Sequence, residues 1–450
     1  MTSAPPVARQ EAETLFQPLA RFDRVALAVS GGPDSLALMH LATRWRAERN
    51  EGPELSVLTV DHGLRPGSRD EALMVGRAAA ALSLPHAILL WEGRGDVTTG
   101  LQAKARTARY DLMTAHAVAH DIGALVTAHH LDDQAETFLM RLKRGSGLDG
   151  LAAIAETGAW GPLTLLRPLL DIPKARLVAS VEEAGLAFAI DPSNADTRFE
   201  RVRLRGARDA FAKLGLTPEA VALSARRLRR ARAALEGAAQ EFLSRHVESS
   251  DAGYAIIDQA ALIACPEEIA LRALSRLLAS VGGGEDPVRL AKLEALLAAL
   301  REHLGKAHTL GRCRIAPHAG RHQGQLGIFR ELRRGGLPEL ELHPGEGALW
   351  DNRFRVALGA AAPRALTVRA LGESGWRQLR ETESLPQSLP RLAARALPAC
   401  WRGDRLLGLA DFSQAPNGAA PCSRHEERLD CQAIFLRGAI GSRGRTPQRA

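Results

Sequence analysis

The sequence predicts an α/β protein: a doubly wound parallel sheet, then a helical domain, then a small C-terminal α+β domain. Three observations predict it. Short apolar runs alternate with amphipathic helical stretches up to about residue 200, the pattern of strands covered by helices on both faces. Beyond that point, stretches rich in Ala, Leu and Arg with helical spacing take over. From about residue 335 Pro and Gly increase, and short β-like runs such as Leu366 to Val368 and Leu406 to Leu409 return.

Taken in order, residues 1 to about 20 read as a polar leader with a short helix. Strands are expected at Arg24 to Val29, Leu55 to Val60, His86 to Trp91, Ala124 to Ala128 and Leu163 to Leu169. Helices are expected at Leu36 to Arg46 and at 70–83, 101–120, 131–144 and 173–185. The segments 201–245 and 266–303 read as an all-helical region. The expected division is 1–205, 206–330 and 335–440, with 441–450 a disordered basic tail.

The chain has 450 residues and a formal net charge of +8, carried mostly by Arg, which favours a polyanionic partner. Its five cysteines (Cys265, Cys313, Cys400, Cys422 and Cys431) form no CxxC pair, which argues against a zinc or iron–sulfur site. Isolated thiols suit a reducing, cytoplasmic setting. No window approaches 18 uninterrupted apolar residues, so no membrane span is expected.

The strongest local signal is Ser30-Gly31-Gly32-Pro33-Asp34-Ser35, directly after the first strand and opening the first helix. Glycines admit a close approach of backbone to phosphate, the helix N-terminus offers free N–H groups, Ser30 and Ser35 add hydroxyls, and Pro33 suits an early helical position. There is no GK[ST] ending and no lysine placed for a γ-phosphate, so this is not a Walker A loop. It resembles the SGGxDS loop of the PP-loop ATP pyrophosphatases, which cleave ATP between its α- and β-phosphates.

Three further segments lie at expected strand ends or helix starts: Val60-Asp61-His62-Gly63-Leu64-Arg65; Gln102 to Tyr110, with Lys104, Arg106 and Arg109; and Ala128-His129-His130-Leu131-Asp132-Asp133-Gln134-Ala135-Glu136-Thr137, running on to Gly147. Asp133 and Glu136 stand three apart, so both carboxylates can face one crevice, although acids in a first helical turn also simply complement the dipole. Together, and with Asp191-Pro192-Ser193-Asn194, these segments resemble the tRNA(Ile)-lysidine synthetase family over about residues 22–205. Where that family usually reads Arg-Asn-x-Ile-Arg, this chain has Arg201-Val202-Arg203-Leu204-Arg205, so any role of that amide is not carried over.

The resemblance implies ATP-dependent ligation of free L-lysine to C2 of the wobble cytidine of an isoleucine tRNA with a CAU anticodon, through an adenylated cytidine. It implies that Ser30 to Ser35, with Asp61 and His62, bind ATP, and that Mg²⁺ is held by Asp34 or Asp133. It further implies Asp133, Lys104 and Arg106 as catalytic groups, and Arg109, His129, Glu136, Arg201 and Arg205 as substrate contacts, Glu136 for lysine. Residues 1–264 hold no cysteine, which leaves persulfide or glutaminase chemistry without a nucleophile. A PP-loop ligase of a small metabolite stays open; the ten Lys or Arg against two acids in 201–232 favour RNA.

Overall fold

The computed structural model describes residues 4–63, 67–91, 101–189, 197–198, 200–284, 286–303, 305–318, 324–381, 389–410 and 431–436, with backbone alone for 101–103 and 381. Arg65, Asp191 to Asn194, Cys422 and the tail 441–450 lie outside the described residues. The chain forms two compact units, Met1–Arg232 and Ala233–Ala450.

The first unit carries α1 (Arg9–Phe16), β1 (Arg24–Ala28), α2 (Pro33–Ala47), β2 (Glu54–Asp61), α3 (Ser68–Ala81), β3 (His86–Leu90), α4 (Leu101–Ala119), β4 (Ala124–Val126), α5 (Leu131–Lys143), α6 (Leu148–Leu151), β5 (Thr157–Trp160), β6 (Leu163–Leu166), α7 (Lys174–Glu183), α8 (Glu200–Gly206), α9 (Arg208–Lys213) and most of α10 (Pro218–His246). The strand order is β3-β2-β1-β4-β6-β5. All neighbours are parallel except β5, which pairs antiparallel with β6. Val25 and Leu27 point into one core with α1, α2 and α7, while Ala26 points into the other with Tyr110 and Met113 of α4, as a doubly wound sheet requires.

The chain leaves β1 toward β2 and β3, then returns to place β4 on the other side of β1. That reversal opens a crevice at the carboxyl ends of β1 and β4, where α/β sheets bind ligands. The segments after these two strands are the glycine loop and the His129–Glu136 run.

Two details differ from expectation. Thr157–Trp160 is an edge strand turned back on β6 through Gly161, at φ +55°; its Gly-containing TGAW run has too little apolar alternation to announce itself. Residues 201–245 and 266–303 are mainly helical, but 247–330 is not all-helical. Its β7 (Val247–Ser250), β8 (Tyr254–Asp258), β9 (His308–Leu310), β10 (Cys313–Pro317) and β11 (Gln325–Arg330) form an antiparallel sheet, order β7-β8-β11-β10-β9. It shares a core with α11 (Gln259–Ala264), α12 (Glu267–Gly282) and α13 (Leu290–Glu302).

Beyond it, β12 (Leu340–Leu342), β15 (Leu366–Ala370), β16 (Pro398–Arg402) and β17 (Arg405–Leu409) make one sheet, and β13 (Gly347–Trp350), β14 (Phe354–Leu358) and β18 (Cys431–Phe435) another. The helices α14 (Gly372–Glu381) and α15 (Arg391–Ala394) complete this α+β part. No described helix is long and apolar enough to cross a membrane.

The leader is tied down by charge. Arg176 of α7 donates from both terminal nitrogens to Glu11, at 2.8 and 2.6 Å. That hydrogen bond, then one from the Ala8 N–H, outweighs burial and draws the Glu11 pKa down to about 2. A carboxylate whose folded pKa is lowered stabilises the fold above its unfolded pKa, and the gain disappears as pH falls through the folded one. Glu11→Gln is therefore expected to lower the thermal midpoint at pH 7 and to match the parent near pH 2; a pH-independent difference would contradict the ion pair's role.

Candidate active site

The glycine loop is shaped by its own side chains. Gly31 sits at φ +89°, and a Cβ there would lie 3.3 Å from Met74 Cε and 3.4 Å from Val75 Cγ2. Gly32 is the extended N-cap of α2 and Pro33 its first residue, where a missing N–H costs nothing. Ser35 differs from expectation. It is buried, donates its hydroxyl to Gly32 O at 2.9 Å and accepts the Ser30 N–H at 3.1 Å, so it closes the turn rather than offering a donor to a ligand. Ser30 remains exposed.

Next to the loop, five charged groups meet. The buried His130 is the N-cap of α5. Its Nε2 lies 3.5 Å from Asp34 Oδ2 and 3.6 Å from Asp133 Oδ2, and its Nδ1 lies 3.7 Å from Asp132. Burial would lower the His130 pKa, yet the Asp34 hydrogen bond and the three carboxylates raise it. Burial would raise the Asp34 pKa, yet His130 and Lys174 hold it below the usual carboxylate range. Asp133 also accepts the His130 N–H at 3.1 Å, so part of its work is to cap α5. Lys174 Nζ stands 3.2 Å from Asp34.

The other carboxylates of α5 face α8 and α9. Arg205 grips Glu136 with two hydrogen bonds, at 2.6 and 3.2 Å, and Arg201 approaches to 4.0 Å. The Glu136 hydrogen bond raises the Arg205 pKa against burial, helped by the charges of Asp133 and Asp34. Arg208 pairs with Asp132 at 2.8 Å. Above these pairs lies a small, open cleft whose remaining lining is apolar, including Leu139, Leu204, Phe211 and Val221.

The surroundings of His62 and His129 are rich in arginine. Arg109 donates to His62 Nε2 at 3.1 and 3.0 Å, and burial together with that guanidinium takes the His62 pKa down to about 4 against the pull of Asp61. Trp91 meets the His62 ring edge-on, with centroids 5.8 Å apart. Asp61 accepts from the Gly63 N–H and the Ser68 hydroxyl, at 2.9 and 2.7 Å, and so links the end of β2 to the first residue of α3. His129 Nδ1 and the Thr127 hydroxyl are hydrogen-bonded, 2.8 Å apart. Burial is the main cause of the His129 pKa near 4, with Arg167, Arg106 and Arg201 adding to it against Asp133. Arg106 lies over the Tyr110 ring at 5.2 Å.

Of the sequence-predicted residues, Asp34 and Asp133 meet at His130, Glu136 faces Arg201 and Arg205, His129 feels the charges of Arg106 and Arg201, and His62 pairs with Arg109 beside Asp61. Lys104 is exposed on α4 and makes no hydrogen bond or ion pair with described residues. Sequence reasoning missed His130, Asp132, Lys174, Arg208 and Arg167; only the His-His-x-Asp-Asp run hinted at the first two. Several arginines of 201–232 are held by acids: besides Arg205 and Arg208, Arg226 pairs with Asp171 and Arg232 with Asp149. Lys213, Arg227 and Arg230 stay exposed.

The residues fit Mg²⁺ carried by a nucleotide. Asp34 Oδ1 is buried without a hydrogen-bond partner among the described residues, and Asp133 faces the same histidine nitrogen as Asp34. No group of three or more metal-ligating side chains occurs among the described residues. Magnesium commonly takes one or two carboxylates and completes its shell with phosphates and water.

A family signature described as a PP-loop domain matches residues 5–207. A tRNA(Ile)-lysidine synthase of Bradyrhizobium sp. strain BTAi1 is 48% identical over 303 residues, 66% of this chain and 84% of that protein. Its counterpart in Rhodopseudomonas palustris is also 48% identical, over 66% of this chain and 85% of the relative. That of Ruegeria pomeroyi is 39% identical over 403 residues, 87% of this chain and 88% of the relative. A glycine loop at the switch point, carboxylates and arginines gathered beside it, and likeness along most of the chain lead to one conclusion: this chain belongs to the tRNA(Ile)-lysidine synthase family, ligases that use ATP on a PP-loop domain.

Proposed function

We propose that the chain joins free L-lysine to C2 of the wobble cytidine of an isoleucine tRNA with a CAU anticodon. The observation that carries this reading is the convergence of Asp34, from the phosphate loop, and Asp133, from α5, on one nitrogen of His130. It favours activation and acceptor chemistry in a single crevice.

In this reading ATP is a co-substrate, its pyrophosphate seated at Gly31 to Ser35. The cytidine C2 oxygen attacks the α-phosphorus, and the bond to the bridging oxygen breaks with its electron pair going to pyrophosphate. Asp34 or Asp133 would hold Mg²⁺ with the phosphates, and the ion would supply neutralising charge. Arg106 and Arg109 stabilise the charge that develops, and Lys104 reaches toward the same phosphates from the start of α4. The lysine ε-amine then attacks C2, the C2–O bond breaks and AMP departs.

The ε-amine must lose a proton first, since lysine is mostly charged at neutral pH. Asp133 accepts it. Glu136 and Arg205, at the floor of the apolar cleft, take the charged ends of the amino acid, and the cleft wall takes its methylenes. His129 and Arg201 position the nucleotide. Residues 1–205 perform the chemistry, 206–330 grip the tRNA body with Lys213, Arg227 and Arg230 against its phosphates, and 335–440 extend the contact.

The test supplies ATP, radiolabelled lysine and isoleucine tRNA bearing a CAU anticodon. Label is expected in the RNA; pyrophosphate release without RNA would favour a small-metabolite ligase. Glu136→Gln is expected to raise the KM for lysine about 10²-fold, on the scale of one lost charged contact, with tRNA adenylation retained. An equal loss of both steps would instead make Glu136 a structural partner of Arg205. Asp133→Asn with full lysine incorporation would remove Asp133 from the mechanism.

A further inference from the structure

The glycine loop has no lysine of its own, but the fold brings one from 140 residues away. Lys174 opens α7, which packs against α2 in the core beneath the crevice. Its Nζ lies 3.2 Å from Oδ2 of Asp34, the second residue of α2. The ammonium therefore stands beside the turn that heads that helix. We propose that Lys174 is a ligand of the pyrophosphate portion of ATP and of released pyrophosphate, an inference that rests on reading Ser30 to Ser35 as the phosphate loop.

Lys174 is not a loosely placed surface lysine. Its main-chain N–H donates to Asp132 Oδ2 at 2.9 Å, and the other oxygen of Asp132 is held by Arg208 at 2.8 Å. The backbone is thus anchored to α5, with the acids of the crevice. The side chain keeps 40% of its surface open, on an ammonium with three N–H donors. Asp34 Oδ2 is its single acceptor among the described residues, which leaves two donors for a ligand.

Asp34 is not left to Lys174 alone, because His130 Nε2 also faces its Oδ2, at 3.5 Å. Beside the groups already assigned to the developing charge, Lys174 adds a full positive charge at the head of α2 itself, where the leaving group would sit. As the α-phosphorus–oxygen bond breaks, the electron pair settles on pyrophosphate, and the loop itself offers only amide dipoles. A compact ammonium on a flexible stem suits a polyphosphate whose charge grows during the step.

The test is calorimetric titration of pyrophosphate with Mg²⁺ into the full chain. Lys174→Met is expected to weaken binding about 10- to 10²-fold, the range for one charged hydrogen bond, and Lys174→Arg to restore most of it. Adenylation of tRNA should slow about 10²-fold, while lysine transfer to tRNA already adenylated by the parent enzyme stays unchanged. Parental pyrophosphate affinity in Lys174→Met would overturn the proposal, as would loss confined to the lysine step. Lys174→Gln serves as a second neutral variant should the methionine lower the thermal midpoint. Gly31→Val is titrated alongside: if it alone loses pyrophosphate, only the role of Lys174 fails; if neither variant loses it, the phosphate-loop reading fails as well.

Discussion

Gly31→Val is expected to lower tRNA adenylation by about 10²- to 10³-fold, the loss typical of removing preorganised donors from a developing anion. Two independent features of the position predict this. Its φ of +89° is open to glycine and strained for a β-branched residue. A Cβ would also press on Met74 and Val75 of α3, whose neighbours fill the core under the sheet. The cheapest relief is to rotate the Ser30–Gly31–Gly32 peptides, and that turns their amides away from a phosphate. Gly31→Ala should show the same defect more weakly. ATP-binding isotherms and pyrophosphate release check the effect; a valine variant that binds ATP like the parent would contradict it.

The second large effect lies in residues 233–450. Asp351 accepts from Arg330 at 2.9 and 2.7 Å and from Arg353 at 2.6 Å, and all three are buried. Burial alone would raise the Asp351 pKa, but the two guanidinium groups hold it below the usual range. Burial pushes the Arg353 pKa down to about 10 despite Asp351. This cluster joins β11 of the five-stranded sheet to the turn between β13 and β14. Removing the one anion strands two buried cations, a change that typically costs about 3–5 kcal/mol. Asp351→Asn separates charge from backbone, since Asn tolerates the φ of +51° found there. Denaturant unfolding of this unit should lose about that amount, with the transition of residues 1–232 unmoved. A loss below about 1 kcal/mol would mean the cluster is neutralised in some other way.

Much of the first unit was legible because each signal was local. The Val-rich run Arg24 to Val29, the Gly-Gly-Pro turn and the apolar spacing of α2 lie within 24 residues of one another. The His-His-x-Asp-Asp run likewise announced a strand end and a helix start. What stayed hidden depends on the fold bringing distant side chains together. Nothing near Lys174 or Arg208 in sequence points to Asp34 or Asp132. The i, i+3 spacing of Asp133 and Glu136 suggested a shared target, yet α5 turns Asp133 toward the phosphate loop and Glu136 toward α8. The Ser35 hydroxyl looked like a free donor because its acceptor, Gly32 O, is a backbone atom whose position only the turn decides. In 247–330 the short alternating runs Tyr254–Asp258 and Gln325–Arg330 were outweighed by the Ala- and Leu-rich stretches between them.

The most direct measurement is a single turnover with ATP labelled at the α-phosphate, isoleucine tRNA bearing a CAU anticodon, and no lysine. Capture of AMP by the base predicts label in the RNA in step with pyrophosphate release, then its discharge as AMP when lysine is added. Label recovered as ADP, or RNA that stays unlabelled while lysine is nonetheless incorporated, would contradict adenylation of the nucleobase at this loop.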